Sequence, residues 1–258
     1  MIQHGRRLTP TVLLFAGFLL AWGLSVRAFG IPQYIVPAPQ DVANSLVDSW
    51  GTLMEHSLVT LLEALLGFAL AVVIGIPLAI LIVFSPRFER TLYPALVASQ
   101  AVPKIALAPL FIVVLGFGIV PKVLMAFLIS FFPVVIDTTV GLRSIRPEMI
   151  HLSRSMGAGP VLTFTKVRFP SALPSVLGGL KISISLAVVG AVAAEFVGSD
   201  AGLGHLLVVT TGLLDTPLLY AALVLVSVIG IGLFSAVVLA ERALIPWHVS
   251  HRTGGEHH

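Results

Sequence analysis

No cysteine occurs among the 258 residues, so neither a disulfide framework nor a thiolate metal site is available to this chain. Charge is scarce: only 10% of residues are charged, against about 25% in a typical soluble protein. With 57% hydrophobic residues and a mean hydropathy of +1.04, an ordinary soluble domain is excluded. The length allows several spans of about 20 residues each, but no additional globular domain of ordinary size. Basic patches interleaved with exposed aromatics are missing, so the formal charge of +3 reads as a topology signal, not as nucleic-acid binding. No G-x-x-x-x-G-K-[S/T] loop occurs, and the chain is therefore not its own ATP motor by that mechanism. G-x-S-x-G and H-E-x-x-H are absent too, which leaves no catalytic constellation and argues against an enzyme.

What is present is a series of apolar runs, which predicts an all-α polytopic membrane protein with six transmembrane helices in one domain over 1–258. Thr11–Phe29 is read as a retained first span, because no small-x-small cleavage site follows it cleanly. Gly30–Gln40 carries Pro32, Pro37 and Pro39 and reads as an extended loop. Over 41–56, Val42, Leu46, Trp50 and Leu53 recur at helical intervals among acidic residues, as in an amphipathic helix lying on the periplasmic side. The second span is placed at Leu58–Phe84, loosened near Gly75 and Pro77. A cytoplasmic turn is placed at Ser85–Arg90, followed by a third span over Pro94–Leu115 that Pro103 and Pro109 break. Gly116–Lys122 is read as a turn, and Val123–Leu142 as the fourth span. The fifth span is Ser175–Phe196, an outer loop with four glycines covers Gly198–Thr216, and the sixth span is Pro217–Ala240.

Orientation follows from the basic residues. With both termini cytoplasmic, the inner segments hold Arg6, Arg7, Arg87, Arg90, Arg143, Arg146, Arg154, Lys166, Arg168, Arg242 and Arg252, and the outer ones only Arg27 and Lys122.

Between the fourth and fifth spans lies RSIRPEMIHLSRSMGAGPVLTFTKVRFPSALP, residues 143–174, polar where its flanks are lipid-like. Pro147 suits a first helical position, and Glu148 faces the positive end of the helix dipole. Met149, Leu152, Ser153 and Met156 then form a narrow apolar stripe, and Gly157 ends the helix in a left-handed turn. A second helical piece, Val161–Phe169, is expected to stop at Pro170.

Pathway candidates are the polar residues that the spans carry. Gln100 and Lys104 stand one helical turn apart on the broken third span, where a cation and an amide can meet an anion or where the lysine snorkels to the interface. Glu63, Asp137 and Glu195 are acidic residues within or at the ends of spans; Asp137 and Glu195 are taken as candidates. Ser183 belongs, with Ser185, Gly178, Gly179 and Gly190, to a small-residue face of the fifth span that suits helix packing. His248, His251, His257 and His258 lack carboxylate support and are not read as a metal cluster.

Ser153–Pro174, with Gly157, Ala158 and the terminal Leu173-Pro174, resembles the EAA loop of ABC-importer permeases. The Glu-Ala-Ala itself is replaced by His151, Leu152 and Ser153, with Glu148 one turn away. Pro37-x-Pro39, the segment Pro103–Gly118, Phe132-Pro133, and Glu195-Phe-Val-Gly198 followed by Gly202-Leu-Gly204 are similar to the nitrate/sulfonate/taurine branch of these permeases. The resemblance implies the type I permease fold in a bacterial inner membrane. It assigns Glu148, Met149, His151, Leu152, Ser153, Met156, Gly157, Ala158, Leu173 and Pro174 to coupling with an ATPase. It further implies two ABC ATPase subunits that hold ATP and magnesium, so that this chain carries no cofactor of its own. The other implied partners are a second permease copy as a homodimer, a periplasmic or lipid-anchored substrate-binding protein, and membrane lipid. The substrate class implied is a small anion such as sulfonate, taurine or nitrate, or an aromatic or pyrimidine-type precursor. An ion-coupled secondary transporter is the alternative; it requires inverted repeats, and none aligns in this chain.

Overall fold

A computed structural model of the chain describes residues 5–245, so the histidines of the tail, His248 to His258, lie outside the described residues. Every element among the described residues is helical. The helices are α1 (Gly5–Ala28), α2 (Pro39–Asp48), α3 (Trp50–Phe84), α4 (Pro86–Ser99), α5 (Ala108–Leu115), α6 (Ile119–Arg143), α7 (Pro147–Ser155), α8 (Pro160–Thr163), α9 (Phe169–Val197), α10 (Leu203–Leu213) and α11 (Thr216–Leu244). Four are long and apolar enough to cross a membrane: α3, α6, the continuous Pro160–Val197 and α11. The α4–α5 pair makes a fifth span if its two pieces, bent by 86°, cross together.

At the centre α3, α6 and α9 pack on one another, and small residues let them do so. Hydrocarbon tails are as apolar as leucine, so lipid gives helices no hydrophobic reason to associate, and close backbone packing has to hold them. A Cβ on Gly67 would meet the Ala126 Cβ at 2.4 Å and the Phe127 nitrogen at 2.8 Å. A Cβ on Gly190 would meet the Ala126 Cα at 2.7 Å, and one on Gly179 the Asp137 Cβ at 2.6 Å. Gly75, expected at a loosened point, instead closes on Val134, and α3 runs unbroken past Pro77. The small-residue face predicted for the fifth span is therefore a packing seam at Gly179, Ser183 and Gly190, whereas Gly178 faces open space.

Several boundaries differ from expectation. The amphipathic segment placed over 41–56 is two elements: α2 stops at Asp48, Ser49 breaks the chain, and Trp50–Glu55 opens the 35-residue α3. α2 packs Val42 into the core beside α11. The turn expected at Ser85–Arg90 is one residue, Ser85, because Pro86 takes the first position of α4, where a missing N–H costs nothing. The third span starts there and breaks at 100–103, after which Lys104–Leu107 forms a 3₁₀ turn leading into α5. Lys122, expected in a turn, lies in the first turns of α6. The loop expected over Gly198–Thr216 holds α10, and α11 extends to Leu244.

Pro170 does not end a helix. The backbone stays helical from Pro160 to Val197 through a π turn at Phe164–Arg168, in which the Phe169 N–H reaches back to the Phe164 carbonyl. In a regular α-helix the Pro170 ring would press on the carbonyl four residues earlier; the wider turn moves that carbonyl away. The span expected at Ser175–Phe196 is therefore a continuation of the segment that begins at Pro160, and Leu173 and Pro174 are half-buried members of α9.

Replacing Gly67 by alanine should lower the thermal unfolding temperature in detergent, by overpacking worth about 1–3 kcal/mol. Gly51→Ala is the control: its Cβ meets nothing within 4 Å, and alanine in a helix is favoured by about 0.5–1 kcal/mol. Equal shifts for the two would remove the α3–α6 seam from the account.

Candidate functional site

Two regions carry the polar chemistry, one at each end of the α3–α6–α9 core. At the end where α7 lies, Pro147 opens that helix with Glu148 in its first turn, as the sequence predicts. Gly157 closes it at φ +82°; its N–H reaches the Arg154 carbonyl at 2.9 Å, and the Ala158 N–H reaches Ser153 at 3.0 Å. These two bonds form a Schellman cap, which satisfies carbonyls the helix end would otherwise leave bare. Met149, Leu152 and Met156 are 49%, 56% and 79% exposed, and Val161 and Leu162 continue the apolar surface. Ser153 turns the other way: its hydroxyl bonds the Ile150 carbonyl at 2.9 Å and lies 3.2 Å from Thr163 Oγ1, tying α7 to α8. Glu148 and His151 are exposed.

The expected connection over 143–174 is thus shorter as a free segment. Arg143 is the last residue of α6, paired with Glu89 of α4 at 3.1 Å and stacked over Tyr93. From Pro160 onward the chain already belongs to the long helix. The exposed connection is 144–159.

At the opposite end, α3 presents His56, Ser57, Thr60 and Glu63, a polar stripe at three- and four-residue spacing on an otherwise apolar helix. Lys122 Nζ stands 2.7 Å from Glu63 Oε1 with both side chains buried, and 2.8 Å from Ser199 Oγ. Glu195 is 1% exposed. One of its oxygens accepts from Thr60 Oγ1 at 2.7 Å, and the other takes the Gly204 N–H. Thr60 Oγ1 in turn accepts the Leu203 N–H at 2.8 Å, and His56 Nδ1 accepts the Gly202 N–H at 2.9 Å. Gly202 adopts φ +106°, and a Cβ there would overlap the Glu195 carboxylate at 2.3 Å. Glycine is therefore required for the close approach as well as for the backbone angle.

The pathway candidates scatter. Glu195 belongs to this buried cluster and not to an open surface. Ser183 is fully buried and donates to the Ser130 carbonyl at 2.7 Å, a bond between α9 and α6. Gln100 and Lys104 are not on one helical face, because the chain breaks between them. Gln100 is exposed, and Lys104 is half-buried with its ammonium 4.4 Å over the Phe132 ring. Asp137 is half-buried against Gly179.

Sequence reasoning missed the partners. Lys122, expected in an outer turn, and Glu63, expected within or at the end of its span, neutralise each other in the core. Lys181 and Glu241 pair at 2.9 Å between α9 and α11, and neither was singled out. The available signal was the lysine inside the apolar Ser175–Phe196 run, since an ionisable group at such a position needs a partner.

A family model described as "Binding-protein-dependent transport system inner membrane component" matches residues 71–246. The chain is 38% identical to the formylaminopyrimidine transport permease protein ThiX of Halalkalibacterium halodurans, over 96% of this chain and 98% of that one. It is 40% identical to the riboflavin transport system permease protein RibX of Chloroflexus aurantiacus, over 93% and 90%. Identity to the putative aliphatic sulfonates transport permease protein SsuC of Bacillus subtilis is 35%, over 93% and 88%. Among solved structures, an inward-facing MetNI methionine ABC transporter chain matches with a TM-score of 0.65 at 23% identity, over 76% of this chain and 98% of that one. That likeness concerns the fold.

Lys122→Met should destabilise the protein by about 3–5 kcal/mol, because it leaves Glu63 buried without its cation. The double variant Lys122→Met/Glu63→Leu should recover most of that loss in the same thermal unfolding measurement. A double variant as unstable as the single one would mean that the pair is held for a reason other than charge compensation.

Proposed function

The chain belongs to the family of binding-protein-dependent transport system inner membrane components, and from that membership we propose a working cycle for it as a permease subunit of a bacterial ABC importer. The chain is the inner membrane permease component and not the ATPase. In the proposed arrangement it crosses the inner membrane six times, with α1 as the first span and the α4–α5 pair as the third, and both termini lie in the cytoplasm. Two permease copies stand on two ATPase subunits, which hold ATP and magnesium. A periplasmic or lipid-anchored binding protein delivers the substrate to the other face.

The observation that carries this reading is α7. It is a short, capped helix whose apolar residues point away from its own chain, on the basic side of the protein. An exposed row of Met149, Leu152 and Met156 in water costs free energy unless a partner covers it. The proposed partner is a groove in each ATPase, entered by α7 with Glu148 and His151 at its rim and oriented by Gly157 and Ala158. Leu173 and Pro174 contribute from behind, as half-buried members of the helix that receives the motion. With no Glu-Ala-Ala in place, Ser153 serves to brace α7 on α8. For the substrate, relatives at 38% and 40% identity are named for a pyrimidine and for riboflavin. A nitrogen heterocycle is therefore the favoured class over a small inorganic anion. Gln100, Lys104 and Asp137, which are not fully buried, are the remaining candidates for the pathway wall.

The reading is tested at the cap. A Cβ on Gly157 meets nothing within 4 Å, so the cost of Gly157→Val lies in the left-handed backbone, about 1–2 kcal/mol. The helix then re-aims its apolar row. Gly157→Val should insert normally but lose ATPase co-purification and substrate-stimulated hydrolysis. Arg154→Ala, which removes one exposed charge worth about 0–1 kcal/mol, should retain both. The opposite ranking would mean that charge, not shape, holds the connection. Mass measurement of the solubilised complex should give two permease copies; a transport-competent particle with one copy and one ATPase would contradict the pairing.

A further inference from the structure

The beginning of α10 is fastened in an uncommon way. Three consecutive amides, those of Gly202, Leu203 and Gly204, donate to three side chains outside the helix: His56 Nδ1, Thr60 Oγ1 and Glu195. Helix N-termini leave such donors without intrahelical partners, and most helices supply a cap from the residue before the first turn. Here that residue is Gly202, which has no side chain to offer, so α3 and α9 supply the cap instead. We propose that His56, Thr60 and Glu195 are positioning residues that make the loop 198–204 and α10 part of the α3–α6–α9 core, and that the His56 fastening releases on protonation. The face on which this matters, the binding-protein side, rests on the function proposed above; the fastening itself does not.

The chemistry of His56 sets the direction. A neutral imidazole has one ring nitrogen that accepts and one that donates, while the protonated ring has two donors. Because Nδ1 accepts the Gly202 N–H, the neutral ring carries its hydrogen on Nε2. A proton added at Nδ1 abolishes the acceptor and sets two N–H groups against each other. His205, on α10, stacks on His56 with ring centroids 5.9 Å apart, so protonation of either ring also repels the other. The remaining charged group acting on His56 is Glu55 on its own helix; Asp200 of the loop acts on Glu63, and Glu195 of α9 and the Glu63–Lys122 pair of α3 and α6 lie deeper in the cluster. Glu55 favours the proton, whereas His205 and burial oppose it. Thr60 does not titrate, so acidification should free the Gly202 end while the Leu203 amide stays held. His56 is half-buried.

Residue-resolved amide hydrogen exchange on the purified permease in nanodiscs tests this without substrate or ATPase, so its failure is separable from failure of the transport reading. After correction for intrinsic exchange, protection of the Gly202 amide should fall about tenfold between about pH 8 and about pH 4.5, a window carried below the ordinary histidine range because burial and His205 oppose the proton. Leu203 should keep its own. His56→Asn, which retains an acceptor but does not titrate, should make Gly202 protection independent of pH. Thr60→Val should expose Leu203, and Thr60→Ser should restore it. Equal Gly202 protection at both pH values overturns the proposal. So does a pH-dependent loss that persists in His56→Asn and disappears in His205→Gln, which would assign the switch to the other ring.

Discussion

Close contact between three helix backbones is the constraint on which the rest of this protein depends. In the hydrocarbon the apolar side chains of α3, α6 and α9 gain nothing by leaving lipid for one another, so their association rests on dispersion at short range and on a few polar bonds. Short range requires small residues where the helices cross, and Gly67, Gly75, Gly179 and Gly190 fall there. Once the backbones are this close, side chains from different helices come within hydrogen-bonding distance. Ser183 bonding the Ser130 carbonyl is one result, and the pairing of Lys122 with Glu63 is another. The same unit ends in the π turn and α7 on one side, and in the fastened loop 198–204 on the other. A displacement of one end therefore has a stiff path to the other.

The three ion pairs among the described residues are not equivalent. Arg143–Glu89 is exposed on both sides, and such pairs contribute about 0–1 kcal/mol. Lys122–Glu63 is buried on both sides, so the loss of one member costs several times more than the pair itself contributes, because a bare charge would remain out of water. Lys181–Glu241 lies between these limits, with the lysine partly exposed, and links α9 to α11 near the end of the last helix. Electrostatics here fixes which helix faces meet; dispersion along the glycine seams supplies the attraction.

The connection after α6 shows the opposite strategy. There the backbone satisfies itself through a Schellman cap and a π turn, and leaves methionine and leucine side chains unused by the chain's own core. A segment that is rigid in its main chain and unsatisfied in its side chains is suited to an intermolecular contact. It loses little conformational freedom on docking.

The sequence by itself determined the class of protein and much of its layout. Low charge and long apolar runs require membrane helices, and Pro147, Glu148 and Gly157 mark the ends of α7 because capping and backbone conformation are local properties. The broken third span was legible for the same reason, since prolines act on their immediate neighbours. Where proline was read as a stop, at Pro170, a local rule failed because a π turn can absorb the clash without ending the helix. Only the tertiary structure decided which polar residues meet. Glu63 and Lys122 are 59 positions apart, and Thr60 and Glu195 are 135 apart. Nothing in the spacing of a chain encodes a contact made by helices packing side by side. Glu195 and Ser183, pathway candidates in one dimension, are buried against neighbouring helices for that reason.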